Sequence, residues 1–269
     1  CIGVGWKANG GTTSSVSASG SGNGAVNACT YQANTTSGFS IISYTGENDE
    51  ISNTEHTKVT HGLSSAPTFV IIKQSDGTNS WVVLGTNMVT PPASGGFGDY
   101  HLHLDNSDAR SGTVYTSSTA PDATYVYVGN DDIVNDNGDA YMMYAFHDVH
   151  GYSKFGSFVG NGSTTGAFIN TGFQPNLIII KNRDETEKWI MYDATRNPLN
   201  VTDLKLSPEI HEAENAITGL GDAAYNMIDI YSNGFQMKSG STASNGDDDN
   251  FIYMAFAKHP FVTSSTGGS

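Results

Sequence analysis

The chain has 269 residues, enough for two domains of ordinary size, and sets 12 Lys+Arg against 27 Asp+Glu for a formal net charge of −15. That balance excludes the basic face a nucleic-acid binder needs and argues against docking on anionic lipid, while no apolar run approaches the ~18 residues of a membrane-spanning helix. The 31 glycines exceed the roughly 7% norm, as a turn-rich β protein requires.

In chain order, Cys1-Ile2-Gly3-Val4-Gly5-Trp6 reads as the middle of a strand, and the chain as a piece of a longer polypeptide. The stretch Asn9–Ala28 is rich in Gly, Ser, Thr, Asn and Ala, with Val16 and Val26 as its large apolar side chains. It cannot bury a core and reads as a linker or an extended surface strand. Cys1 and Cys29 either pair or stay free; two cysteines in a chain of this length do not make a disulfide framework, which favours free thiols.

From Gly38 onward the chain repeats itself. Gly38–Gly46 matches Lys154–Gly160, and His61-Gly62-Leu63 with Pro67–Lys73 matches Thr171–Lys181. Trp81 matches Trp189, and Tyr141–Phe146 matches Phe251–Phe256. Pro67 and Pro175 are 108 residues apart, as are Trp81 and Trp189, and Phe146 and Phe256 are 110 apart. A near-constant offset across separate blocks is the signature of tandem duplication. Gly5-Trp6-Lys7-Ala8 fills the slot of Ala145-Phe146-His147, which predicts the closing strand of a preceding module.

The apolar runs Phe69–Lys73, Trp81–Leu84, Tyr125–Val128, Tyr141–Phe146, Leu177–Lys181 and Phe251–Phe256 are short, often β-branched or aromatic, and bounded by turn residues. One helix is expected, opened by Ser207 as N-cap, Pro208 at N1 and Glu209 in the first turn, over Ile210–Ile217. The expected fold is all-β: two tandem β-sandwich, jelly-roll-like modules, with at most one short helix in the second. The expected divisions are 1–29 (closing strand plus linker), 30–150, 151–262 and a tail at 263–269. The repeat anchors are Pro67, Trp81 and Phe146 in the first module and Pro175, Trp189 and Phe256 in the second.

The second module resembles a repeated module in virion proteins of tailed bacteriophages, especially marine ones. The resemblance rests on Gly172-Phe173-Gln174-Pro175, Lys181, Trp189, Tyr192 and Asp193, then Tyr231-Ser232-Asn233-Gly234-Phe235 and Tyr253–Phe261. Gly151–Phe158 with Gly160-Asn161-Gly162 completes it, and the first module departs from it across Thr90–Thr124. The resemblance implies a structural or appendage protein of the phage particle: tail fibre, head fibre or capsid decoration. Its partners would be other virion proteins and copies of itself, with no catalytic residues supplied.

Few constellations point to chemistry. His101-Leu102-His103-Leu104-Asp105 would put two imidazoles and a carboxylate on one face of a strand, a pattern a metal site uses, although a polar strand face needs no metal. In His147-Asp148-Val149-His150 a carboxylate could orient an imidazole base, or simply bond at a hinge. Two acidic runs precede the closing strands, one holding Asp131, Asp136 and Asp139, the other Asp247 and Asp249. Asp and Asn oxygens around Gly suit a hard cation such as Ca²⁺, yet neither run has the spacing of a full Ca²⁺ loop, and a solvated loop has the same composition. No Gly-x-Ser-x-Gly, P-loop, His-Glu-x-x-His or Cys-x-x-Cys occurs, so the expectation is no enzyme and no cofactor. The competing reading is a glycan-binding adhesin module meeting a host surface, which exposed aromatics such as Tyr100 and Tyr115, or an exposed Trp81 or Trp189, would favour.

Overall fold

The computed structural model describes residues 5–8, 11–47, 52, 54–88, 97–112, 115, 118–211 and 227–260. The chain is all-β and divides into two units, Cys1–His103 with Ser111–His147, and Leu104–Arg110 with Asp148–Ser269. Among the described residues, no helix is long and apolar enough to cross a membrane.

In the first unit, β1 (Ser14–Val16), β2 (Cys29–Asn34), β3 (Phe39–Thr45), β5 (Phe69–Gln74), β6 (Val82–Gly85), β7 (Leu102–His103) and β9 (Ala140–Phe146) form one antiparallel sheet in the order β1-β2-β3-β9-β5-β6-β7. A two-stranded antiparallel sheet, β4 (Thr57–Thr60) with β8 (Tyr125–Val128), faces it. Strand alternation sends Ile42, Tyr44, Val70, Ile72, Val82, Leu84, Tyr141 and Met143 inward to meet Val59, Val126 and Val128. A short helix α1 (Asp132–Asn135), capped by the Asp131 side chain on Ile133 N–H, leads into the closing strand β9.

In the second unit, β10 (Ser153–Val159), β12 (Pro175–Asn182), β13 (Ile190–Asp193), β14 (Lys205–Leu206) and β17 (Asn250–Ala257) run in the order β10-β17-β12-β13-β14. That reproduces β3-β9-β5-β6-β7. A smaller sheet, β11 (Phe168–Asn170), β16 (Gly234–Met237) and β15 (Ile228–Tyr231), closes a core of Ile178, Ile180, Tyr192, Phe235, Phe251 and Tyr253.

Phe69 stands opposite Phe146, and Leu177 opposite Phe256. Pro67 precedes β5 and Pro175 starts β12 ahead of a bulge, both at strand entrances where the missing N–H removes no central ladder bond. The first block is aligned differently from the sequence match. Phe155 pairs with Met254, whose counterpart Tyr144 pairs with Ile41, so Ile41 and not Phe39 is the equivalent of Phe155. A two-residue shift preserves the face each side chain takes, which is why the apolar pattern did not reveal it.

Residues 5–8 form no strand, and Trp6 packs on Phe39 and Phe146, with ring centroids 6.2 and 5.8 Å away; Cys1–Val4, the rest of the expected closing strand, lie outside the described residues. Of the two readings of the polar stretch before β2, the extended surface strand holds over Ser14–Val16. Ser14–Val16 pairs with Tyr31–Cys29, Val26 bridges Ser19 and Lys58, and Asn27 is fully buried. The helix α1 is in the first unit, whereas Ser207–His211 is irregular and residues 212–217 of the expected helix lie outside the described residues. Leu104–Arg110 belongs to the second unit, held there by Arg110 N–H to Arg183 O at 2.8 Å and by the Arg110–Asp184 ion pair at 3.4 Å. Cys29 is free and buried, its thiol 3.7 Å from Thr60 O. The tail 263–269 lies outside the described residues.

Candidate functional site

The acidic runs are the loops that hand the chain to its closing strands, and a buried asparagine organises each. Asn135 Oδ1 accepts from Glu47 N–H at 3.0 Å while its Nδ2 donates to Gly129 O at 2.8 Å. In the second unit Asn245 Oδ1 accepts from Asn161 N–H at 3.2 Å, and Nδ2 donates to Ser239 O at 2.7 Å and Ser163 O at 2.9 Å. Both side chains are fully buried. Gly46 and Gly160 must be glycine there, because a Cβ would come within 2.0 Å of Asp136 O and 2.1 Å of Gly246 O.

The candidate Ca²⁺ ligands have protein partners or open solvent. Asp131 caps α1, Asp136 accepts from Asn137 N–H at 2.9 Å, and Asp139 accepts from Gln74 Nε2. Asp249, the counterpart of Asp139, accepts from Asn182 Nδ2 at 3.0 Å, and Asp247 is exposed beside Gly162. Burial raises the Asp249 carboxyl, with the nearby acids Glu185, Asp184 and Asp247 adding to it against the Asn182 bond. Among the described residues no group of three or more His, Cys, Asp or Glu side chains is arranged to hold a metal ion.

The two histidine motifs are each divided between the units. His101 is buried with its ring centroid 4.9 Å from His103 and 4.4 Å from Tyr115, while Asp105 belongs to the second unit. His147 ends the first unit, its N–H on Gly38 O at 3.0 Å. Asp148 begins the second and is engaged by Phe155 N–H at 2.8 Å and by Lys154 Nζ.

Burial separates the two tryptophans. Trp189 is 1% exposed. Its backbone N–H donates to Glu209 Oε1 at 3.0 Å, and burial raises the Glu209 carboxyl. Trp81 is half-buried and stacks on Tyr144 at 6.2 Å. Lys73 and Lys181 end equivalent strands and turn back on the next turn's carbonyls: Lys73 Nζ on Gln74 O and Gly77 O, Lys181 Nζ on Asn182 O and Glu185 O. Lys181 adds Ser107 O at 3.3 Å and is fully buried, which pushes its ammonium down to about 8 against the opposing pull of Glu209, Glu187 and Asp108.

Tyr115 is buried and Tyr100 half-buried, so neither is the freely exposed aromatic that a sugar platform needs. Among the described residues the exposed aromatics stand instead on the outer face of the small sheet in the second unit. Phe168 (45% exposed) and Tyr231 (39%) meet edge-on at 5.7 Å. Tyr231 Oη lies 3.3 Å from both Asp229 Oδ2 and Gln236 Oε1, and Lys238 pairs with Asp229 at 3.7 Å. Sequence reading missed this pair because Phe168 lies in a three-residue strand, too short to show an alternation.

No curated protein and no solved structure matches the chain. One family model spans both units, matching residues 1–260, and the chain belongs to that family, described as a domain of unknown function (DUF7483).

Proposed function

We propose that the chain is a non-enzymatic structural component of a bacteriophage particle, in a tail fibre, a head fibre or a capsid decoration, assembled with copies of itself and other virion proteins. The observation that carries the structural role is the depth of the duplication. Strand order, the buried Asn135 and Asn245, the Gly46 and Gly160 contacts and the Lys73 and Lys181 strand ends all repeat. The Asn135, Asn245, Lys73 and Lys181 side chains tie loops to the sheets, as expected of a module whose work is to be repeated. The virion itself is supported by the sequence resemblance of the second module. Immunogold electron microscopy of intact particles with antibody to this chain tests it. Label on the tail, fibre or capsid is the expected result, and unlabelled particles from a lysate that contains the protein overturn it.

A second reading has one observation in its favour. Phe168 and Tyr231, flanked by Asp229 and Gln236, offer an apolar ring surface beside hydrogen-bonding groups, the combination that stacks and orients a sugar. A glycan array probed with the protein and with Tyr231→Ala tests it: a sugar-specific signal lost in the variant supports an adhesin, and no signal from either removes it.

A further inference from the structure

In the first unit the outward edge of β3 is occupied. Its partner β2 pairs along Cys29–Asn34, and the Tyr31 ring lies so close over Gly62 that a Cβ there would come within 2.1 Å of it. Among the described residues the second unit repeats the sheet without the added strand: β10 is the last strand in its order. Its outward backbone groups are only partly used. Ser153 is closed by the Val149 turn at 2.9 and 3.1 Å, and Phe155 N–H is taken by Asp148 Oδ1 at 2.8 Å. By the alternation of a strand, the backbone groups of Ser157 and Val159 point the same way as those of Ser153 and Phe155, away from β17, and both residues are exposed. Gly172, the equivalent of Gly62, has no heavy atom within 4 Å of its Cβ position. It lines an open cleft of about 350 Å³ with Asp148, His150, Ser153, Lys154 and Thr171.

We propose that this edge and cleft accept an extended strand of another polypeptide in antiparallel pairing, an aromatic side chain seated over Gly172 as Tyr31 sits over Gly62. A strand edge presents alternating donors and acceptors at peptide spacing, which an extended peptide matches along its length. Asp148 and Lys154 neutralise each other at the mouth, so an uncharged strand such as Cys29–Asn34 suits it. Asp148 also acts as a latch. Its carboxylate holds the Phe155 N–H, and the equivalent residue, Ile41, faces Gln32 of β2. An incoming strand displaces that carboxylate, and until then it shields the edge from indiscriminate pairing. The inference rests on the assembly reading for its biological role, but its test is independent of the virion.

The test is fluorescence anisotropy of a labelled peptide copying residues 28–35, with Cys29→Ser, titrated with the full-length protein. Saturable binding is expected, weakened about tenfold when the peptide carries Tyr31→Ala, because the ring that seats over the glycine is lost. In the protein, Ser157→Pro removes an outward N–H and should abolish binding, whereas Asp148→Ala frees the Phe155 N–H and should tighten it. If Ser157→Pro does not fold, the gain with Asp148→Ala decides. Equal affinity of the parent and Tyr31→Ala peptides, or no saturation with either the native protein or Asp148→Ala, overturns the proposal. Particle labelling can succeed while this titration fails, so the two readings fall separately.

Discussion

Ile42 of the first unit and Gly156 of the second occupy the same rung of equivalent strands, opposite Met143 and Tyr253. In one unit an isoleucine and a methionine fill the core at that level. In the other the Tyr253 ring swings over the glycine, where a Cβ would come within 2.5 Å of its hydroxyl. The larger partner compensates for the smaller, as close packing demands. Away from the core the units part. The first covers its sheet edge with β2 and leaves Trp81 half-buried; in the second, β10 is the last strand of its sheet among the described residues, and Trp189 and Lys181 are buried. Topology and core volume constrain a duplicated module, whereas its edges and outer faces are free to take on different partners.

The largest test of that contrast is the tryptophan pair. Trp189→Ala should cost about 3–5 kcal/mol, and Trp81→Ala, with less surface buried, about 1–2 kcal/mol, by chemical denaturation. Equal losses would mean that the two outer faces are not differently covered.

Lys181 supplies the next. Its ammonium is held near 8 in the fold against 10.5 when unfolded, so the unfolded chain binds more protons between those values. Stability should therefore rise as pH climbs from about 8 to 10.5, by up to about 3 kcal/mol, and the penalty is complete below pH 8. Lys181→Met should flatten this slope, and a slope that survives the substitution removes Lys181 as its source.

Asn135→Ala and Asn245→Ala should each cost about 2–3 kcal/mol, since each strands buried backbone groups. A loss confined to one of them would break the equivalence of the two loops. The smallest difference concerns the paired glycines, both at positive φ, 71° at Gly62 and 82° at Gly172. Gly172→Ala should cost about 1 kcal/mol of backbone strain, and Gly62→Ala about 2 kcal/mol because its Cβ also meets Tyr31. Equal melting shifts would show that Tyr31 yields readily and that the slot over Gly62 is not tight.

Repeat spacing and strand grammar are local properties of the chain. Offsets of 108 and 110 residues between equivalent blocks, short β-branched runs and turn residues at their ends were therefore readable from the residues, as was the all-β class. The pairing of Asn135 with Glu47 N–H and of Asn245 with Asn161 N–H was not, because a single buried amide leaves no periodicity. The same acidic loops left a cation site open beside the favoured solvated turn, since composition does not say which oxygens already hold protein donors. The division of labour between Trp81 and Trp189 also escaped the sequence, for the two sit in matching local contexts and differ in what folds over them. Burial is a property of what lies across space: Leu104–Arg110 joins the second unit, and Tyr31 fills over Gly62 the place left open over Gly172, only once the sheets have formed.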